Sequence, residues 1–231
     1  SRSDLRDQVK VITKCGIMMP CDNRPDYRLK SYDLSAEHIR KSVENSLSYL
    51  SVDRIDVLLL HRPDLLMDPE EIASEFEALK QAGKVAFFGV SNFTPSQFEL
   101  LNSYTPLITN QIEASITQLA PFTDGTLDQC LKQKIRPMAW SPVGGGSLFK
   151  PSTDERLERI RQAAEQLAKK YGIQTDQLLL AWLLKHPSNM VPVLGTSKLE
   201  RVVTALQALK VELTREDWYW LLQESVGHEV A

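Results

Sequence analysis

The sequence is poor in cysteine. Cys15, Cys21 and Cys130 are an odd number among 231 residues, with no CxxC pair and no Cys/His zinc spacing. That argues against a disulfide framework or a zinc-built domain and fits a reducing, cytoplasmic setting. No apolar run approaches the ~20 residues of a membrane-crossing helix, and no signal-peptide pattern opens the sequence. A large excess of one charge is also lacking. At a net charge of −3, neither nucleic acid nor an anionic membrane is an expected partner. No GxGxxG follows any apolar run, which removes the phosphate-binding first turn that a doubly wound nucleotide fold needs.

What is present is ordinary in bulk and informative in pattern. With 42% hydrophobic and 25% charged residues, the chain reads as a globular protein able to bury a sizeable core. Its most telling stretch is Ile55-Asp56-Val57-Leu58-Leu59-Leu60-His61-Arg62-Pro63-Asp64. An unbroken apolar run closed by a turn signal is the signature of a strand buried on both faces. The polar residues at its end then sit where the strand leaves the core.

The rest of the chain repeats this theme. Apolar runs over Val9–Thr13, Asp56–His61, Lys84–Val90, Leu107–Glu113, Arg136–Trp140 and Val191–Leu194 read as strands. Helices are expected after Ser35, after Asp68-Pro69, after Thr94-Pro95, over about 126–133, over 154–171 and 175–185, after Ser197 and after Thr214. Most of these starts carry a capping residue, and Ser197-Lys198-Leu199-Glu200 has capping-box spacing. The segment from Ile17 to Leu34 is long and irregular, as functional loops are. No hairpin signal is seen.

Six strands each followed by a helix predict a parallel sheet with helices outside it, in a single domain over 1–231. Six units do not close an eight-stranded barrel. Ser1-Arg2-Ser3-Asp4-Leu5-Arg6-Asp7 reads as the tail of a helix and a loop, without an initiator Met. The expectation is therefore an (α/β)8 barrel, six of whose βα units are visible here, with the first two lying outside this sequence.

The strand ends read Lys14, His61, Ser91-Asn92, Gln111, Trp140-Ser141 and Gly195-Thr196-Ser197-Lys198. Each has a plainer explanation: a solvated exit lysine, a core histidine, a turn, a packed tryptophan. Gln111 is harder to dismiss, because so apolar a strand seldom tolerates an unpaired amide. Parallel strands bring their ends to one mouth, so together these residues predict a site. Lys198 and Arg201 at a helix amino terminus suit a phosphate, since free amides and the positive dipole end add to their charge. The alternative there is an ordinary charged surface helix.

These motifs resemble the aldo-keto reductases across essentially the whole chain. The match runs through Val11-Ile12-Thr13-Lys14, Asp56–His61, Gly89-Val90-Ser91-Asn92-Phe93, Asn110-Gln111, Trp140-Ser141-Pro142 and Val193-Leu194-Gly195-Thr196-Ser197. It is nearer the broad-specificity microbial members than the hexose reductases. The resemblance implies NADPH as cofactor and reduction of an aldehyde or ketone, a small-molecule substrate, by a monomer or weak oligomer. It makes Lys14 and His61 catalytic. Ser91, Asn92 and Gln111 would hold the carboxamide, and Trp140 would stack on the nicotinamide. Ser141, Val143 and Gly144 would start a loop over the pyrophosphate. Gly195, Thr196, Ser197, Lys198 and Arg201 would surround the 2′-phosphate.

Two departures stand out. The family's Asp-x-Ala-x-x-Tyr-Gly stretch, with its proton-donating tyrosine, is not among these residues, and Tyr27 and Tyr32 lie in a different context. Thr204-Ala205 replaces a common Glu-Asn pair that contacts adenine. A cofactor-binding regulatory subunit with little turnover, or a phosphosugar enzyme without nicotinamide, are the alternatives.

Overall fold

The structure, a computed structural model, describes residue 6 and residues 8–22 and 27–229. The expectation for the first seven residues falls outside that range, apart from Arg6, which is helical. In chain order the elements are β1 (Ile12–Cys15), β2 (Ile17–Met18), β3 (Ser31–Tyr32), α1 (Ala36–Leu50), β4 (Ile55–Leu60) and α2 (Pro69–Gln81). Next come β5 (Val85–Ser91), α3 (Pro95–Asn102), β6 (Asn110–Glu113), α4 (Thr126–Gln133) and β7 (Met138–Trp140). The remainder are α5 (Glu155–Tyr171), α6 (Thr175–Leu184), β8 (Val191–Pro192), α7 (Leu199–Gln207) and α8 (Arg215–Val226). Two compact units divide the chain, Ser1–Gln111 and Ile112–Ala231, and β6 straddles their boundary.

In the first unit β1, β4, β5 and the start of β6 are successive parallel neighbours. All six residues of β4 are buried, as its unbroken apolar run predicts. Removing Leu58, Leu59 and Leu60 from water stabilises the unit by about 1.5–3 kcal/mol per side chain. Gly89 in β5 is there for space: a Cβ would lie 2.8 Å from Leu59 Cδ2, Thr109 Cγ2 and Thr109 O. Helix α2 lays Ile72, Phe76 and Leu79 inward, and Phe76 stacks on Phe88 of β5 with ring centroids 3.9 Å apart. Ser35, Asp68 and Thr94 cap α1, α2 and α3 as their sequences suggest.

Two expectations for this unit are corrected. The first strand begins at Ile12, not Val9. The Val11 carbonyl accepts from both the Asp56 and Val57 amides, so regular pairing starts only at Ile12↔Val57, and Val9 is 51% exposed. Lys14 thus lies within the strand. The segment after it contains a hairpin: β2 and β3 pair antiparallel, Ile17↔Tyr32 and Met18↔Ser31.

In the second unit β7 and β8 pair in parallel, Met138↔Val191 and Ala139↔Pro192. The apolar faces of α5, α6 and α8 form one core. Trp182 of α6 and Trp218 of α8 stack with centroids 4.8 Å apart, and each indole N–H donates to the other's backbone carbonyl, at 3.0 and 2.9 Å. Thr214 caps α8 as expected.

Helix α7 departs from expectation twice. Its N-cap is Lys198 with no side-chain cap bond, so the capping box is not formed. Ser197 stands one position too early, and Thr196 Oγ1 accepts the Lys198 amide instead, at 3.1 Å. The helix also buries none of its residues: Leu199, Val203 and Leu206 are all exposed.

Candidate active site

The first unit gathers Lys14, His61, Ser91, Asn92 and Gln111 at the same ends of adjacent strands. Lys14 stands opposite Leu59 in the register, and the His61 amide donates to the Cys15 carbonyl at 2.8 Å, closing β4 onto β1. Ser91 stands opposite Gln111. Its buried hydroxyl donates to the Gln111 carbonyl at 2.9 Å and accepts from Asn92 Nδ2 at 2.7 Å. Asn92, whose own amide also reaches the Gln111 carbonyl, has a left-handed backbone (φ 57°). Asparagine visits that region more readily than most residues, but it remains a local cost. Next door, Asn110 Nδ2 donates to the Phe93 carbonyl at 2.8 Å, and its buried Oδ1 has no partner.

Electrostatics here favour neutral imidazole. Burial first, then the cations Lys14, Arg62 and Lys30, push His61 down to about 4. At neutral pH it therefore carries one N–H donor and one acceptor nitrogen. Burial, and then Arg62, also lower the Lys14 ammonium below its ordinary value. Arg62 escaped the sequence reading. Its Nη1 donates to the His61 carbonyl at 3.0 Å and reaches Ser91 Oγ at 3.4 Å.

The second unit holds a cavity of about 990 Å³. Ser141, Val143, Gly145 and Gly146 line one part of it, and Gly195, Thr196, Lys198 and Arg201 another. Trp140, Gly144 and Ser197 are neighbours of these residues in sequence but do not line it. Ser141, like Asn92, is a non-glycine residue at positive φ (51°) directly after a strand. Strain of this kind collects at sites.

The chemistry of the lining fits an anionic dinucleotide. Lys198 and Arg201 are exposed cations, and the open start of α7 presents amides that no side chain caps. Gln174, Thr175 and Asp176, at the start of α6, also face this cavity, so two helix amino termini meet it. A helix start is legible there from the residues alone, but only the fold brings it to the cavity. Thr204 and Ala205 line it as well, so the replaced Glu-Asn pair falls where an adenine contact was expected.

A tyrosine, a lysine and an aspartate do meet in this unit, outside the cavity. Tyr171 Oη donates to Asp217 Oδ2 at 2.5 Å and accepts the Thr214 amide at 3.0 Å, and Lys170 Nζ reaches both Asp217 oxygens at 2.8 Å. This cluster ties α5 to the start of α8, and the hydroxyl is already donor and acceptor. Among the described residues no group of His, Cys, Asp or Glu is placed to hold a metal ion. None of the described helices is long and apolar enough to cross a membrane. All three cysteines are free.

Comparison with known proteins identifies the family. The Aldo/keto reductase family profile matches residues 1–221. The uncharacterized oxidoreductase YcsN of Bacillus subtilis is 44% identical over 229 residues, 98% of this chain and 76% of its own length. The 6-dehydroglucose reductase of Agrobacterium fabrum matches with the same identity and coverage. A thermostable aldo-keto reductase solved with the inhibitor epalrestat superposes with a TM-score of 0.75 at 28% identity, over 83% of this chain and 67% of that one. Six parallel strands with their helices fit the α/β barrel of that family, and the chain is a member of the aldo/keto reductase family of oxidoreductases.

Proposed function

We propose that this protein reduces aldehydes or ketones to alcohols with NADPH. The observation that carries the reading is the cavity of the second unit, where glycine backbone, Thr196, Lys198, Arg201 and two helix starts converge. Bound NADPH supplies the hydride. Trp140 would stack on the nicotinamide, and Ser91, Asn92 and Gln111 would hold its carboxamide. Ser141, Val143 and Gly144 begin the wall over the pyrophosphate. Gly195, Thr196, Ser197, Lys198 and Arg201 take the 2′-phosphate, Arg201 with a planar fork suited to its oxygens.

On the substrate side, neutral His61 donates its N–H to the carbonyl oxygen and orients it. Lys14 would, as in the family, stand beside the proton-donating phenol, favour its phenolate and lower its pKa. The proton that completes the alcohol comes, in the family, from a tyrosine that these 231 residues do not include. The substrate is a small carbonyl compound. The name 6-dehydroglucose reductase, borne by a relative, supports an oxidised sugar as one candidate. The chain acts as a monomer or weak oligomer in the cytoplasm, with no nucleic-acid or membrane partner.

A second reading is a cofactor-binding subunit on the same fold with little turnover. The test adds NADPH and 4-nitrobenzaldehyde to the full chain, following cofactor absorbance and the alcohol formed. Steady NADPH consumption matched by alcohol supports the reductase. Tight NADPH binding without turnover favours the second reading. If the tryptophan fluorescence that Trp140→Phe removes is not quenched by NADPH, the nicotinamide reading is lost.

A further inference from the structure

The glycine wall of the cavity is supported from outside the cavity. A Cβ on Gly144 would lie 2.8 Å from Thr117 Oγ1 and 3.2 Å from Thr117 Cγ2, so Gly144 is pressed against that side chain. Gly145 has open space, and Gly146 would meet only Phe149, at 4.0 Å. The wall is therefore closely packed at its first glycine, whereas a side chain would find room at the next two.

Thr117 sits in a tight turn. Ser115 and Gln118 exchange both backbone hydrogen bonds, at 3.2 and 3.0 Å, and Ser115 Oγ accepts the Thr117 and Gln118 amides. The turn is held in place from far along the chain. Ser225, in the last turn of α8 and 1% exposed, donates its hydroxyl to the Ile116 carbonyl at 2.5 Å. Arg156 of α5 donates from Nη2 to the Thr117 carbonyl at 3.0 Å and to Ser225 Oγ at 3.1 Å, and from Nε to the Ser225 carbonyl at 2.8 Å. One planar guanidinium thus locks the end of α8 and the turn to α5, a task that a lysine's single ammonium cannot reproduce. Neither Arg156 nor Ser225 lines the cavity.

We propose that Arg156 and Ser225 are positioning residues for cofactor binding: they fix the Ser115–Gln118 turn, and Thr117 then sets where the Gly144–Gly146 wall begins. The inference rests on reading the cavity as the dinucleotide site. A residue important only for helix packing would loosen α5 and α8 and leave the wall alone.

The experiment is amide hydrogen exchange on the full chain without cofactor, paired with NADPH release followed by Trp140 fluorescence. Arg156→Met should speed exchange in both the Ser115–Gln118 turn and residues 143–147, and speed NADPH release about fivefold, with Arg156→Lys intermediate. Thr117→Ala leaves the backbone bonds to Arg156 in place and should loosen 143–147 alone. Exchange at 143–147 that stays as in the wild type in Thr117→Ala overturns the proposal, and so does loosening in Arg156→Met confined to α5 and α8. Should Arg156→Met fail to fold, Thr117→Ala decides. If the wild type binds no NADPH, the dinucleotide reading falls, while the exchange data still judge the coupling.

Discussion

In the first unit every side chain given a chemical role sits on, or one residue past, a strand of a hydrogen-bonded sheet. In the second unit Trp140 and Ser141 likewise sit at the end of β7, but the remaining groups sit on glycine turns and at an uncapped helix start. Ser91 is buried and held by three neighbours, whereas Lys198 and Arg201 are exposed. The difference follows from what each half has to do. Orienting a carbonyl demands placement to fractions of an ångström, which rigid strands provide. Gripping a phosphate demands charge and free amides, which a looser helix start can offer. The first unit should therefore govern rate, and the second should govern binding.

The largest expected effect would break that division if it failed. Lys14→Met should lower kcat by about 10²–10⁴-fold, the range of positioned proton and charge catalysis, while NADPH affinity stays within about twofold. His61→Ala should act the same way at the lower end of that range. Steady-state kinetics with cofactor titration checks both, and unchanged turnover in both variants would remove the site assignment.

Next in size is a stability effect confined to the second unit. Burial alone would raise the Asp217 carboxyl, but hydrogen bonds from Lys170, Tyr171 and Thr214 outweigh it and hold it below its ordinary value. Its contribution to stability is thus full above the unfolded value of 3.8 and is lost as pH falls through the lower folded one. Asp217→Asn should cost about 2–3 kcal/mol in urea unfolding at neutral pH, because Lys170, Tyr171 and Thr214 all lose their charged partner. kcat per folded molecule should not change. Smaller still, Arg201→Ala should raise the NADPH dissociation constant about 10–30-fold and that of NADH less than twofold. Equal losses for the two cofactors, measured by calorimetry, would argue against a 2′-phosphate role.

The sequence disclosed most where one local rule decides the outcome. Ile55–Leu60 was legible because a strand buried on both faces admits almost no polar residue. Ser35, Asp68, Thr94 and Thr214 were legible because capping is settled within four residues. What escaped depends on contacts between distant residues. The β2–β3 hairpin has strands of two residues, too short to show alternation. Arg62 looked like part of a turn until Ser91, 29 residues away, appeared beside it. The link from Arg156 to Thr117 and Ser225 spans 39 and 69 residues, and none of the three carries a motif. Ser197 shows the opposite failure. Its capping-box spacing was real, but the helix starts one residue later, at Lys198, and no side chain caps it.

The smallest prediction concerns His61 and sharpens the comparison from the electrostatic side. Its folded value of about 4 lies below the ordinary 6.5, so between those two values the unfolded chain binds a proton that the folded chain refuses. Stability must then rise with pH through that window, and fall as the solution is acidified from 6.5 toward 4. Above the window His61 stays neutral and adds no pH dependence to catalysis. Discharge of the Lys14 ammonium, held below its ordinary value, should contribute to a loss of activity as pH rises into the alkaline range. The imidazole proton resonances in NMR should therefore show no titration of His61 at neutral pH and above. In Lys14→Met the midpoint should move up by less than one unit, because burial, the largest cause of the shift, is untouched. A midpoint near 6.5 in the wild type would mean that water reaches the ring, and the strand-borne half-site would then be as open as the loop-borne one.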